Sequence, residues 1–223
     1  MAVYHYTFAN GKGVWLTSDI HLHHANIIKY CKRPFTDTDE MDEALITNWN
    51  SVVGKNDTVF ILGDVGFGSP DTFFSKIRRL NGKKILIIGN HDRGYLGNQE
   101  FLSLFEAVHE QVYIKVGKNK IYLTHFPLLC FDGAYSGVTA TWNLYGHCHS
   151  FPGSGGLDMQ RLIHCFPTQY DVGVDNNNYT PISFDAVKEK IHDQQMSLNM
   201  SRDTFTDDTS IVDKLKQFFK RIF

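Results

Sequence analysis

The chain has 223 residues, 42% of them hydrophobic and 21% charged, which suits one packed domain and excludes wholesale disorder. Twenty-two Lys and Arg against 24 Asp and Glu leave a formal net charge of −2, without the basic excess of a general nucleic-acid binder. No apolar run of about eighteen residues occurs, so no membrane-spanning helix is expected.

The segment Met1 to Lys12 is polar and aromatic and lacks the order of a secretory signal. The four cysteines, Cys31, Cys130, Cys148 and Cys165, are scattered and read as reduced thiols of a cytoplasmic protein. A first apolar run, 13–17, leads into Ser18-Asp19-Ile20-His21. Acidic Asp37, Asp39 and Glu40 then open a helix that carries Met41, Leu45, Trp49 and Val52 on one face. The run 58–62 ends in Gly63-Asp64, and Phe73, Phe74, Ile77 and Leu80 make a second helical stripe closed by Asn81-Gly82. The run 84–88 ends in Gly89-Asn90-His91-Asp92, followed by a third stripe of Phe101, Leu104, Phe105 and Val108. Two strand-like runs flank Gly117-Lys118-Asn119, a hairpin signal, and the second of them ends in Thr124-His125.

The run 142–145 leads into Gly146-His147-Cys148-His149. Gly-, Ser- and Thr-rich loops are expected at 132–141 and 151–160, a further strand at 171–175, and a last strand turn and helix over 181–194. Residues 1–194 form the expected domain, 195–210 a polar linker, and 211–223 an amphipathic tail helix. Its Ile211, Leu215, Phe218, Phe219 and Ile222 share one face, and its net charge is +3. Such a helix docks on the domain or a second subunit, or else meets a partner or membrane surface. The runs are short, apolar and nearly continuous, as in strands buried on both faces, and their alternation with helices indicates an α/β fold.

Five polar clusters terminate five of these strands, where ligands gather in open α/β folds: Asp19/His21, Asp64, Asn90/His91, His125 and His147/His149. Singly, each is an ordinary turn former, helix cap or hydrogen-bonded rim residue. Together, burying so many carboxylates and imidazoles costs several kcal/mol per charge unless a cation compensates them. Nitrogen and oxygen donors without a required thiolate suit Mn²⁺, Fe, Zn²⁺, Co²⁺ or Ni²⁺ better than Ca²⁺. Seven candidate ligands, these residues without His91, exceed one tetrahedral zinc and match two metals that share a carboxylate, roughly 3.5–4 Å apart.

Asp19-Ile20-His21, Gly63-Asp64, Gly89-Asn90-His91-Asp92, His125 and Gly146-His147-Cys148-His149 resemble, in order and character, the blocks of the calcineurin-like metallophosphoesterases. The stretches 18–28, 48–50, 143–147 and 174–177 bring the chain nearer to the small stand-alone phosphoesterases of bacteria and their phages. The resemblance implies a four-layer α/β sandwich of two mixed β-sheets flanked by helices, with the site on loops at one sheet edge. It places Asp19, His21 and His149 on a first metal and Asn90, His125 and His147 on a second, with Asp64 bridging. It makes His91 the residue that stabilises the transition state or protonates the leaving oxygen, and Asp92 the partner that orients an imidazole. The implied reaction is attack on phosphorus by a metal-bridging water or hydroxide, with manganese the leading ion. Cys148, between two ligands, is expected to point toward the core.

His24, Arg33 and Arg93 follow the first and third blocks and are the candidate substrate contacts; His23 shares their position without a stronger argument. Asn143 and Asp175 either support the site or cap turns. The compact chain favours a small phosphodiester or nucleotide-like substrate and no stable nucleic-acid partner. The competing readings are a phosphomonoesterase or protein phosphatase of the same fold, a non-catalytic metal-binding scaffold, and a nuclease.

Overall fold

Strands β2 (Val14–Thr17), β3 (Thr58–Ile61) and β4 (Lys83–Ile87) form where the sequence runs are continuously apolar. Alternate side chains leave opposite faces of a strand, so each run feeds two cores. Val14, Leu16, Phe60, Ile85 and Ile87 enter one core, and Val59, Ile61 and Leu86 the other. The computed structural model describes residues 4–134, 141–150 and 159–205. The expected loops at 132–141 and 151–160 lie mostly outside these residues, and the tail helix wholly outside them.

One five-stranded sheet has the order β10-β2-β3-β4-β5, with β5 at Ala107–His109 and β10 at Ile182–Ser183. Its strands β2 to β5 are parallel, and β10 joins antiparallel to β2. The other contains β1 (Tyr4–Phe8), β6 (Val112–Val116), β7 (Asn119–Leu123), β8 (Thr141–Tyr145) and β9 (Gln169–Asp171), in the order β1-β6-β7-β8-β9. Here β6 and β7 are the antiparallel pair, joined through Gly117 at φ +57°. Apolar residues of both sheets make the core between them. Helices α1 (Ala25–Tyr30), α2 (Thr38–Val52), α3 (Pro70–Arg78) and α4 (Gln99–Leu102) supply the second core, against the first sheet. α2 starts as its acidic residues predict: Asp37 Oδ1 accepts from the Glu40 backbone N–H at 2.9 Å. The two mixed sheets flanked by helices match the expected sandwich.

Three elements differ from the sequence expectation, and a fourth, β1, lies where none was stated. Val108 belongs to β5, not to a third helix, because Ala107–His109 pairs with Ile85–Ile87 and that pairing overrides a helical spacing. The strand expected at 171–175 stops at Asp171, whose Oδ1 accepts the Gly173 N–H and closes a turn into a 3-10 segment at Val174–Asn176. The N-terminal segment holds β1. The last helix, α5 (Phe184–Phe205), buries Phe184, Val187 and Ile191 and runs past 195, so the stretch expected as linker is helical as far as Phe205.

Candidate metal centre

The loops after β2, β3, β4, β7 and β8 converge at one end of the two sheets. Asp19 (φ +55°), His21 (+53°), Asp64 (+56°), His147 (+67°) and His149 (+45°) all take the left-handed conformation, although none is glycine. Such backbones cost on the order of 1–3 kcal/mol each and persist where the surroundings over-determine them. Here the loops brace one another: Asp19 N–H donates to Gly63 O at 3.0 Å, His21 N–H to Asp64 O at 3.0 Å, and Gly146 N–H to His125 O at 2.9 Å. Gly146 leaves room for this approach, since a Cβ there would overlap the side chains of Ser18 and Asp19.

The first cluster is Asp19, His21 and His149, each offering one donor atom within 4.8 Å of the others. Asp19 Oδ2 accepts the His147 backbone N–H at 2.8 Å, while the buried Oδ1 has no hydrogen-bond partner. His21 Nε2 is likewise buried without a partner, 3.6 Å from Asp64 Oδ2. Burial, together with the neighbouring His149 and Arg33, holds His21 well below the usual imidazole range, so it is neutral and keeps a lone pair. His24 Nδ1 lies 3.1 Å from His21 Nδ1; if His21 donates there, its lone pair is on Nε2. His149 Nδ1 donates to Asp175 Oδ2 at 2.7 Å, and its Nε2 lies 4.0 Å from Asp19 Oδ1. Burial opposes a charge on His149, but the Asp175 hydrogen bond and the Asp19 carboxylate override it and lift the group to about 11. The pocket therefore favours positive charge beside Asp19.

The second cluster is Asp64, His125 and His147. His125 Nδ1 lies 2.7 Å from Leu62 O, an atom that can only accept, so Nδ1 carries a proton and the neutral form of the ring has its lone pair on Nε2. That lone pair faces Asn90 Oδ1 at 2.9 Å and Asp64 Oδ2 at 3.5 Å. Three acceptors directed at one point repel unless a cation lies among them. The orphaned Asp19 and His21 atoms give the same result in the first cluster, so the donor set fits divalent metal ions. Asp64 Oδ2 stands between the clusters, and Oδ1 is fixed by the His91 backbone N–H at 2.9 Å.

His91 is partly exposed at the rim, with Nε2 4.0 Å from Asp64 Oδ2 and its ring against those of His21 and Phe67. His24 is buried, stacked on Phe67 and 5.8 Å from the His91 ring. Asp92 does not orient an imidazole: its carboxylate accepts from the backbone N–H groups of Asp64 (2.8 Å), Val65 (3.0 Å) and Gly89 (2.8 Å), joining the loops after β3 and β4. Arg33 is not a substrate contact either. It is buried, forks onto Asp175 at 2.8 Å through Nε and Nη2, and donates to Asp19 O (2.7 Å) and Ile20 O (2.9 Å). Arg93 is exposed and pairs with Glu110 at 3.2 Å. Cys148 is buried.

Asp175 supports the site by orienting His149 in the manner of carboxylate–histidine–metal triads. Arg33, with His149, holds Asp175 below the usual carboxylate range against the effect of burial. Asn143 ties β7, β8 and β9 together: it donates to Thr124 Oγ1 at 2.9 Å and accepts from Leu128 N–H and Gln169 Nε2. Asp171 is a support the sequence reading missed; its Oδ2 accepts the Ser150 N–H at 3.0 Å, next to His149. Its signal was the one that singled out Asp19 and Asp64, a carboxylate ending a buried strand.

Residues 13–187 match the family model described as calcineurin-like phosphoesterase. The chain is 34% identical over 180 residues to an uncharacterized protein of Methanocaldococcus jannaschii, covering 80% of this chain and 90% of that one. It is 31% identical to the gene 66 protein of Mycobacterium phage L5 over 186 residues, 72% of this chain and 86% of that one. A crystal structure of a protein of unknown function from Aquifex aeolicus shares the fold, with a TM-score of 0.58 at 23% identity, covering 79% of this chain and 97% of that one. With the family model spanning both donor clusters, the chain belongs to the calcineurin-like phosphoesterases and is a metal-dependent phosphoesterase.

Proposed function

We propose that the protein hydrolyses a small, nucleotide-like phosphodiester at two divalent cations, manganese foremost, that share Asp64. Asp19, His21 and His149 hold one cation, and Asn90, His125 and His147 the other. The observation that carries this reading is the position of Asp64 Oδ2, 3.6 Å from His21 Nε2 and 3.5 Å from His125 Nε2. When bound, the cations lower the pKa of water toward neutrality and offset charge developing on the phosphoryl oxygens.

His91 donates a proton to the departing ester oxygen, a role supported by its position at the rim beside Asp64. His24 packs behind it and, through its contact with His21, supports the first cation site. A diester is favoured over a monoester by the pairing of Arg33. Arg33 is locked onto Asp175 and is not free to offset the second charge of a monoester, while Arg93 meets Glu110 in an exposed and exchangeable pair.

The test compares bis-p-nitrophenyl phosphate with p-nitrophenyl phosphate, using chelator-treated protein with and without added Mn²⁺. Mn²⁺-dependent turnover that prefers the diester is expected. Preference for the monoester or for phosphopeptides would replace this reading with a phosphatase, and folded protein inert with every divalent ion would make it a scaffold.

A further inference from the structure

Beside the second donor cluster lies a cleft of about 510 Å³ that the reaction chemistry does not use. His147 lines both the cleft and the cluster. Phe126 follows directly after His125 and sits at the junction. Its ring centroid is 4.5 Å from that of His147 and 4.8 Å from that of His125, yet the residue is 45% exposed. Pro127, Leu128 and Leu129 continue the wall outward, and Leu129 is 74% exposed. His164 and Cys165 belong to the lining as well.

Large apolar side chains are rarely left open to water beside a polar centre unless something covers them in use. The cleft has the volume of a small-molecule site, and among the described residues its lining includes no Lys, Arg, Asp or Glu, which suits an uncharged group. The rings of Phe126, His147, Pro127 and His164 suit a flat aromatic ligand, which gains from edge and face contacts as well as from burial. Because His147 is common to both, the cleft lies within reach of an ester group on a phosphate held at the donor clusters.

We propose that the cleft receives an aromatic ring carried on one ester arm of the substrate, a nucleobase, so that the protein selects phosphodiesters of nucleosides. This rests on the proposed diesterase reading and adds the group that is recognised. Phe126 is the specificity-determining residue.

The experiment uses three diesters of equal charge: the trifluoroethyl phosphodiester of thymidine, that of cyclohexanol, and bis-p-nitrophenyl phosphate. The first two share a small, non-aromatic leaving group, and trifluoroethanol release is followed by gas chromatography. The thymidine diester is expected to exceed the cyclohexyl diester in kcat/KM by on the order of ten-fold. Phe126→Ala should bring the two toward parity, and Phe126→Trp should keep the preference. The ratio is taken within one enzyme, so a general loss of folded protein does not disturb it. Turnover of bis-p-nitrophenyl phosphate without preference for thymidine, or a preference untouched by Phe126→Ala, overturns the cleft assignment and leaves the reaction standing. No turnover of all three with any divalent ion overturns the reaction itself.

Discussion

Arg33 and Asp175 meet in a buried fork, Nε to Oδ1 and Nη2 to Oδ2, both at 2.8 Å, across 142 residues of sequence. The same guanidinium holds the carbonyls of Asp19 and Ile20, and the same carboxylate takes the Nδ1–H of His149. One ion pair thus sets two donors of the first cluster in register. Asp175→Asn leaves Arg33 buried without its counter-charge, a loss of about 3–5 kcal/mol for a broken buried pair. Replacing both, as Arg33→Met with Asp175→Leu, should recover much of that stability. Neither variant restores the orientation of His149, so both should bind the first cation about 10–100-fold more weakly. Denaturant titration and equilibrium dialysis with Mn²⁺ separate the two effects. Unchanged dialysis in both variants would show that the pair serves the fold alone.

His91→Ala should leave the metal content of the purified protein intact, because the donors of both clusters are other side chains. His91 belongs to an alternative grouping with His21 and Asp64, so metal content has to be measured and not assumed. Turnover should fall by about 10²–10⁴, the usual contribution of a positioned acid. Elemental analysis beside kcat on bis-p-nitrophenyl phosphate decides it; full activity would remove His91 from the mechanism.

Asp92→Asn tests a structural role. An amide can replace one carboxylate oxygen but presents N–H groups where the other accepts, so one of the three backbone donors from Asp64, Val65 and Gly89 loses its acceptor. The expected cost is about 1–3 kcal/mol. Thermal unfolding should show it in both metal-free and metal-loaded protein, at about 2–4 °C per kcal/mol for a chain of this size. A variant with wild-type Tm and lost turnover would return Asp92 to the reacting group.

Metal removal should destabilise the protein, and more so as pH rises. Without metal, burial pushes Asp19 up from 3.8 to about 6. His149 is lifted from 6.5 to about 11 by Asp175 and Asp19, against the effect of burial. A raised folded-state value contributes stability that is complete below the unfolded value and is lost as pH climbs through the folded one. Those windows are 3.8 to about 6 for Asp19 and 6.5 to about 11 for His149. Protons and cations compete for the same lone pairs, so the rise in Tm on adding Mn²⁺ should be larger at about pH 8 than at about pH 5. Saturation at about 100 times Kd corresponds to about 2.7 kcal/mol. Differential scanning fluorimetry with chelator or Mn²⁺ at the two pH values measures the difference; equal shifts would contradict it.

The donors were legible in the sequence because each ends an apolar run. A strand buried on both faces cannot absorb a carboxylate, so Asp19 and Asp64 marked loops, and the histidines after β7 and β8 marked the same edge. What surrounds the donors was not legible, because it depends on long-range pairing. Arg33 looked like a free cation near a phosphate site; its partner lies on the far side of the chain. Asp92, next to His91 in sequence, turns to the backbone of the neighbouring loop. Val108 has helical spacing from Phe105, but its strand partner is β4, which local pattern does not encode. The left-handed backbones of His21, Asp64 and His149 leave no trace in composition, since none of these positions is glycine.

Asp19, His21, Asp64 and Asn90 follow strands of one sheet, and His125, His147 and His149 follow strands of the other. Any ion gripped by both groups rivets the open mouth of the sandwich. Stiffness there would then depend on the surrounding concentration of free cation: the same polypeptide would breathe widely in a depleted medium and clamp shut in a replete one.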